Sequence, residues 1–323
     1  MAPRVSIVMP TYQRASILAG VVQNLLSQDF RDFELLIMDD GSTDGTDALI
    51  RNMSDARLRY FNQGRIGVPG ILNEGFKHIR GEYLIILHDH DIYAPNMLST
   101  YVQFLDQHLS VAFVFSGLVL CDSKGEVELA RDIHTFAPVT WGLAFFQERM
   151  LPRVDSCVGV WTMIRRRLLG EYFLDPMVGG CADVELWHRL CLVGDVGYIP
   201  EPLIRVRGRD PLSQFFLSEA DLTTRLLRAK TRYLVHAQND DVRATIRRHW
   251  RVEANRAVLS NYHKCLVAGN MTALGSIRTL ANEFGSSRAR IALGVLVALP
   301  HKVSLWLLAS LRSLRSGIRR KTT

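Results

Sequence analysis

The chain has 323 residues, of which 48% are hydrophobic and 22% are charged. This composition can bury a core, and it excludes a wholly disordered, collagen-like or coiled-coil protein. The net charge of +7 conceals a division along the chain. Residues 1–224 carry 20 basic and 28 acidic side chains, a net charge of −8, whereas residues 225–323 carry 19 basic and 4 acidic, a net charge of +15. This asymmetry predicts an anionic partner for the basic region, either a membrane surface or a nucleic acid.

The cysteines and the first residues indicate the compartment. The five cysteines are odd in number and show no C-x-x-C spacing, which argues against a disulfide framework or a structural zinc site and favours a reducing compartment. Residues 1–10 hold one arginine and a short apolar run, too short for the apolar segment of a secretion signal. We therefore expect the acidic part of the chain to stay in the cytoplasm.

The first third of the chain alternates between strand-like and helix-like patterns. Short apolar runs predict strands, and apolar residues at helical spacing predict helices. The strands are predicted at residues 5–9, 33–38, 58–61 and 83–87, and the helices at residues 17–27, 46–53 and 73–79. This order indicates βαβ units in an α/β fold with a mostly parallel central sheet.

Polar clusters at residues 10–14, 39–44 and 88–91 each follow a predicted strand. Ligands of open α/β sheets bind beyond the carboxyl ends of the strands, so we expect these clusters to converge on one site. Later patterns predict a helix at 97–109, a strand-like run at 111–120, an irregular stretch at 122–152 and a helix at 184–193. A change in composition near residue 215 divides the chain into an α/β domain, 1–215, and a basic, mostly helical region, 216–323.

Asp89 and Asp91 flank His90 directly after the fourth predicted strand. Two carboxylates at i and i+2 beside a turn can both face a hard divalent cation such as Mg²⁺ or Mn²⁺. The alternative is a solvated turn. His88 and His90 alone do not indicate a zinc site, because no H-E-x-x-H motif or cysteine partner accompanies them.

Other polar residues have two interpretations each. One of Asp39 and Asp40 can cap a turn while the other accepts hydrogen bonds from a nucleobase or a ribose. Asp183 and Glu185 near a helix start are either favoured by the helix dipole or candidates for a general base. The glycine-rich residues 64–70 predict a loop over a phosphate-bearing ligand, or only a turn. The arginines at 205, 207 and 209 can meet a diphosphate or lie on a solvated surface.

These segments, in this order, resemble the GT-A glycosyltransferases of family 2. The resemblance runs from residue 5 to about residue 209, some two-thirds of the chain. It is carried by the ordered segments 5–14, 33–44, 73–75, 81–91, 163–166 and 182–187. It implies a nucleotide-sugar-binding α/β sandwich, whose central sheet is flanked by helices, with a C-terminal helical extension.

The resemblance also implies roles for the donor site. Asp40 contacts the nucleotide base, and Thr11 and Tyr12 line the same pocket. Asp89 approaches the ribose or the metal, and Asp91 holds a divalent ion, Mn²⁺ or Mg²⁺, that bridges the diphosphate of a nucleoside diphosphate sugar. Such an ion offsets the charge that develops on the leaving diphosphate.

The catalytic base implied by the resemblance is Asp183, which deprotonates an acceptor hydroxyl for a single displacement that inverts the anomeric centre. Glu185 competes for this role. The family usually has a glutamate before the base, where this chain has Ala182. This departure does not remove the base, but it is the best support for the alternative of a catalytically silent GT-A-like binding or assembly protein. A sugar nucleotidyltransferase is disfavoured, because its N-terminal loop of glycine, arginine and lysine is missing.

The basic region lies beyond the resemblance. Residues 291–311 hold Lys302 as their only charge, and five basic residues follow. Pro300 interrupts a clean membrane span, so we expect one or two amphipathic helices on an anionic membrane with Trp306 as an anchor. An ordinary helical subdomain or a homo-oligomer contact is the alternative, and nucleic acid is disfavoured because no groove-reading motif is present. The expected enzyme is peripheral on the inner face of the cell membrane, acting on a glycan or lipid-linked acceptor in cell-envelope polysaccharide synthesis.

Overall fold

The computed structural model describes residues 2–121, 127–129, 136–150, 158–169, 174, 182–207, 240–267, 274–283, 285–298 and 304. The chain divides into two compact units, Met1–Gln214 and Phe215–Thr323. The assignment of catalysis to the first unit and of membrane association to the second remains a prediction.

The described residues of the first unit form a ten-stranded sheet with helices around it. The strands are β1 (Val5–Thr11), β2 (Phe33–Asp39), β3 (Leu58–Asn62), β4 (Tyr83–Ile86), β5 (Ile92–Tyr93), β6 (Val111–Cys121), β7 (Val127–Leu129), β8 (Val139–Thr140), β9 (Met163–Arg165) and β10 (Asp195–Arg207). The helices are α1 (Ala15–Leu26), α2 (Thr46–Arg51), α3 (Gly70–Phe76), α4 (Met97–Gln107), α5 (Gly142–Phe145) and α6 (Ala182–Leu190). A π-helical turn, Phe146–Met150, follows α5, and a 3₁₀ turn, Arg166–Leu168, follows β9.

The strand order is β3-β2-β1-β4-β9-β6-β10-β5, with β7 beside β6 and β8 beside β10. Strands β3, β2, β1 and β4 are parallel, as the βαβ pattern predicts. β9 lies antiparallel between β4 and β6, so the second half of the sheet is mixed. The predicted α/β fold, with a central sheet flanked by helices, is confirmed.

The two faces of β1 pack against different helices. Ile7 and Met9 belong to one buried cluster with Leu18 of α1 and Leu98 of α4. Val8 points to the other face and packs closely against Gly75 of α3. A Cβ atom added to Gly75 would lie 2.9 Å from Val8 Cγ1. Burial of each such side chain contributes about 1.5–3 kcal/mol. Packing on both faces therefore fixes the position of β1 between β2 and β4.

Most predicted boundaries lie within three residues of the observed ones. The largest displacement is α3, predicted at 73–79 and found at Gly70–Phe76. Its first turn follows Pro69, and the residues 64–70 have the composition of a turn, which hides the start of the helix in the sequence. The stretch 122–152, predicted to be irregular, contains the short elements β7, β8 and α5 in its described part.

The second unit contains three described helices, α7 (Asp240–Val267), α8 (Leu274–Glu283) and α9 (Ser287–Ala298). The hydroxyl of Tyr262 in α7 donates a hydrogen bond of 2.8 Å to the carbonyl of Leu296 in α9. None of the helices within the described residues is long and apolar enough to cross a membrane. The predicted amphipathic segment 291–311 lies outside the described residues except for 291–298 and 304, so its membrane association remains a prediction.

Candidate active site

The polar clusters after β1, β2 and β4 meet at the carboxyl edge of the sheet, as expected. The Thr11 hydroxyl at the end of β1 donates a hydrogen bond of 2.7 Å to Asp89 Oδ2, 78 residues away along the chain. The backbone N–H of Asp40 donates to the carbonyl of Thr11 over 2.9 Å. The parallel pairing of these strands is therefore what brings the candidate residues together.

Asp39 and Asp40 have different roles in the structure. Asp39 Oδ1 accepts hydrogen bonds from the backbone N–H of Ser42, at 2.8 Å, and from its hydroxyl, at 2.6 Å. Asp39 Oδ2 accepts from the hydroxyl of Tyr60. Asp39 therefore stabilises the turn after β2, which is one of the two roles predicted for this pair.

Asp40 holds the glycine-rich loop. Its Oδ1 atom accepts hydrogen bonds from the backbone N–H groups of Ile66, at 2.7 Å, and Gly67, at 2.8 Å, and its Oδ2 atom lies 3.1 Å from Arg65 Nη1. The Arg65 guanidinium in turn lies 3.4 Å from the centre of the Tyr12 ring, a cation–π contact. Asp40 thus attaches the loop to the end of β2. One side of the candidate nucleotide pocket is formed by Tyr12, Asp40 and Arg65.

Gly41 makes this attachment possible. Its φ angle is +82°, a left-handed conformation that favours glycine. A Cβ atom at this position would also lie 3.0 Å from the backbone of Arg65. Glycine at residue 41 therefore lets the loop approach the turn after β2.

Asp91 is fully buried and is hydrogen-bonded on both oxygens. Oδ2 accepts from the indole N–H of Trp161 at 2.7 Å and lies 3.1 Å from His88 Nδ1, while Oδ1 accepts from the backbone N–H of Arg207 at 3.1 Å. Burial acts to raise the pKa of Asp91, but His88 and the other partners outweigh it and leave that pKa lowered. Burial acts in the opposite sense on His88, whose pKa is nevertheless raised by Asp91. Asp91 is therefore held as a carboxylate.

Asp89 contacts Thr11 and His90. Besides the bond from Thr11, its Oδ1 atom lies 3.0 Å from His90 Nδ1. One possible ligand atom from each of His88, His90 and Asp91 lies within 4.8 Å of the others, so these three residues can hold a metal ion. The sequence motifs predict Asp91 for such a site but not the two histidines. The signal that could have identified them is the alternation H-D-H-D directly after a buried strand.

Asp183, the second residue of α6, is half-buried near His88. Burial raises the pKa of Asp183 to about 6, although the backbone N–H of Val184 and the charge of His88 act to lower it. Glu185 is fully buried, and its Oε1 atom lies 3.3 Å from Nε of Arg189 on the same helix. The two candidate bases therefore have different surroundings. A carboxylate with a pKa near 6 suits proton abstraction at neutral pH.

The run of arginines is only partly described. Arg207 ends β10 beside Asp91, and its Nε atom is buried with no hydrogen-bond acceptor among the described residues. Arg205 is exposed on the same strand, and Arg209 lies outside the described residues. An unpaired buried guanidinium nitrogen is costly, and an anionic ligand at this edge would satisfy it.

Comparison with known proteins identifies the family. The family described as "Glycosyl transferase family 2" matches residues 6–173, more than half of the chain. The chain therefore belongs to this glycosyltransferase family, which confirms the resemblance carried by the sequence motifs.

Individual relatives match over part of their length. A Campylobacter jejuni protein named GalNAc(5)-diNAcBac-PP-undecaprenol beta-1,3-glucosyltransferase is 33% identical over 129 residues, which cover 39% of this chain and 41% of that one. The matched stretches span about one third to two thirds of the first curated relatives.

Two solved structures have the same fold. S. aureus TarS 1–349 in complex with UDP-GlcNAc superposes with a TM-score of 0.69 at 16% identity, covering 98% of this chain and 92% of that one. The mannosyltransferase PcManGT of Pyrobaculum calidifontis, in complex with GDP-Man and Mn²⁺, superposes with a TM-score of 0.55 at 19% identity, covering 96% and 85%. At these identities the likeness concerns the fold.

Proposed function

We propose that this protein transfers a sugar from a nucleoside diphosphate sugar to an acceptor hydroxyl, with inversion at the anomeric carbon. The observation that carries the proposal is the position of Asp183, a carboxylate of raised pKa beside the His88–His90–Asp91 group at the carboxyl edge of the sheet. A base beside a group able to hold a divalent ion suits displacement of a nucleoside diphosphate.

The nucleotide of the donor binds on the side of the site formed by β1 and β2. Asp40 contacts the base, and Thr11 and Tyr12 line its pocket. The resemblance assigns to Asp89, whose Oδ2 atom accepts the Thr11 hydroxyl, a contact with the ribose or the metal. The fold shared with a TarS structure that contains UDP-GlcNAc supports a donor of this class.

The diphosphate lies against the turn after β4. Asp91 would hold Mn²⁺ or Mg²⁺, and the ion would neutralise charge on the leaving diphosphate. The resemblance also implies Asp89 as a ligand of this ion. The ligand atoms of His88, His90 and Asp91 are close enough for one ion, so the residues fit such a group. Arg207 supplies further positive charge through its unpaired Nε atom. The Mn²⁺ in the related PcManGT fold supports a metal here.

Asp183 removes the proton from the acceptor hydroxyl. At pH 7 a carboxyl group with a pKa of about 6 is about nine-tenths ionised, so the base form predominates. The acceptor oxygen attacks the anomeric carbon as the bond to the diphosphate breaks, and the proton stays on Asp183. A single displacement of this kind inverts the configuration.

The acceptor is a glycan or a lipid-linked glycan, and the basic residues 216–323 bring the protein to an anionic membrane surface. The name of the C. jejuni relative, which specifies an undecaprenol-linked acceptor, supports this class. The charge of +15 on residues 225–323 supports an anionic surface.

The proposal is tested with purified protein and a panel of nucleoside diphosphate sugars, with and without Mn²⁺. We expect metal-dependent nucleotide binding that is lost in Asp91→Ala, and transfer that is lost in Asp183→Asn although nucleotide binding remains. Normal transfer by both variants would refute the site assignment. Nucleotide binding with neither hydrolysis nor transfer of any donor would favour the silent binding protein, to which Ala182 points.

A further inference from the structure

The sequence H-D-H-D after β4 places Asp89 between two polar partners on opposite sides. Its Oδ2 atom accepts the Thr11 hydroxyl at 2.7 Å, and its Oδ1 atom lies 3.0 Å from His90 Nδ1. A neutral imidazole that donates from Nδ1 to a carboxylate presents its Nε2 lone pair to the opposite side. Thr11 and Asp89 therefore fix both the ring orientation and the tautomer of His90.

The Nε2 atom of His90 faces Asp91. It lies 3.9 Å from Asp91 Oδ1, too far for a hydrogen bond. Two ligands of one ion, each at about 2.0–2.2 Å, are separated by about 3 to 4 Å, depending on the angle between the bonds. Asp91 Oδ1 has one lone pair engaged by the N–H of Arg207 and keeps another. The separation of these two atoms therefore matches that of two ligands of one ion.

We propose that His90 Nε2 and Asp91 Oδ1 are the protein ligands of the divalent ion, and that Asp89 is a positioning residue that orients His90 instead of binding the ion. His88 acts on the other oxygen of Asp91, because its Nδ1 atom lies 3.1 Å from Asp91 Oδ2. This inference rests on one part of the proposed function, the binding of a divalent ion. In metal sites, a histidine that binds the ion through one ring nitrogen commonly donates a hydrogen bond from the other to a carboxylate.

The ligand set determines which ion is bound. Carboxylates and water suit Mg²⁺, whereas imidazole suits transition metals, whose affinity rises from Mn²⁺ towards Co²⁺ and Ni²⁺. One imidazole and one carboxylate form a poor site for Mg²⁺. We therefore expect Mn²⁺ and Co²⁺ to bind the protein at least tenfold more tightly than Mg²⁺.

The first experiment uses the full chain with Mn²⁺ alone, Co²⁺ alone and Mg²⁺ alone. Pulsed electron paramagnetic resonance of bound Mn²⁺ should show coupling to a histidine ¹⁴N nucleus, and calorimetric titration should give the affinity order stated above. In His90→Asp the ¹⁴N coupling should disappear and the preference for Mn²⁺ over Mg²⁺ should shrink at least tenfold. His78→Asn is the control, because this histidine stacks on Phe61 of β3. It should change neither result.

The second experiment separates positioning from folding. Asp89→Asn should weaken Mn²⁺ binding about 10- to 100-fold, as loss of a partner behind a metal ligand does. In the His90→Asp background the same substitution should have little effect, because the residue that Asp89 orients is gone. A purely structural role of Asp89 would weaken binding equally in both backgrounds. Circular dichroism verifies that each variant is folded.

The outcomes distinguish this inference from the proposed function. Bound Mn²⁺ without ¹⁴N coupling, or equal affinity for Mg²⁺ and Mn²⁺, overturns the His90 assignment and leaves sugar transfer intact. If no divalent ion binds the wild-type protein, both the inference and the metal part of the proposed function fall. Loss of transfer in Asp183→Asn would still support the catalytic base in that case.

Discussion

Replacement of Asp183 by asparagine is expected to stabilise the fold above pH 6 while it removes transfer activity. Burial raises the pKa of Asp183 from 3.8 to about 6, and a tenfold change in a proton-binding constant corresponds to about 1.4 kcal/mol. The ionised carboxylate therefore costs the folded chain up to about 3 kcal/mol at pH 8. An asparagine has a similar shape and avoids this cost.

The direction with pH follows from the same rise in pKa. The folded pKa is higher than the unfolded one, so the folded chain holds the proton more tightly. The stability that Asp183 contributes is fully present below about pH 4 and is lost as the pH rises through 6. The free energy of unfolding of Asp183→Asn, minus that of wild type, should thus grow by up to about 3 kcal/mol between pH 4 and pH 8.

Urea denaturation of both proteins at pH 4 and pH 8 measures this difference. Asp32→Asn, at an exposed residue before β2, is the matched control and should leave the difference unchanged with pH. If the difference for Asp183→Asn is the same at both pH values, burial does not raise the pKa of Asp183, and Asp183 is not the base. If the variant is stabilised and transfer persists, the base is another residue.

Three further results are expected. The ratio kcat/KM should fall tenfold per pH unit below pH 6 as Asp183 is protonated, and a profile that is flat from pH 5 to pH 8 would contradict the base. Asp40→Ala should destabilise the protein by about 2–4 kcal/mol, because two backbone N–H groups of the 64–67 loop lose their acceptor, and calorimetry should show weaker nucleotide binding. Replacement of the five basic residues in 312–321 by glutamine should lower affinity for anionic vesicles at least a hundredfold at low salt, whereas unchanged co-sedimentation would favour a helical subdomain.

The parallel half of the sheet could be predicted because its strands are continuous apolar runs. β9 could not, since it has three residues and ends in Arg165. Arg165 is nevertheless buried, and its guanidinium donates hydrogen bonds to the carbonyl oxygens of Leu105, at 2.8 Å, and Val111, at 3.1 Å. A buried arginine satisfied by distant carbonyl groups has no signature in a local sequence pattern.

The candidate site was predictable in composition but not in detail. The sequence indicates which loops carry carboxylates, because each follows a strand. The sequence does not indicate that Asp39 accepts hydrogen bonds from Ser42, or that Asp40 accepts them from the glycine-rich loop. The spacing of Asp89 and Asp91 suggests a shared ion, but the two side chains have different partners in the structure. Asp89 accepts a hydrogen bond from Thr11, and Asp91 accepts one from Trp161.

The geometry of α6 gives Asp183 and Glu185 different surroundings. Residues two apart on a helix point about 200° apart, so a helix that directs one of them into the core directs the other away from it. Glu185 lies in the core with Arg189 one turn along, whereas Asp183 is half-buried near His88. The helix therefore separates a structural carboxylate from a candidate base.

Glu185→Gln tests this separation, because its effects should be opposite to those of Asp183→Asn. Loss of the glutamate charge removes the buried ion pair between Glu185 and Arg189 and should destabilise the protein by about 3–5 kcal/mol, measured by urea denaturation. The folded fraction should keep kcat within a few-fold of wild type, since Glu185 is fully buried and pairs with Arg189. A Glu185→Gln protein that is fully stable and inactive would reverse the assignment and make Glu185 the base.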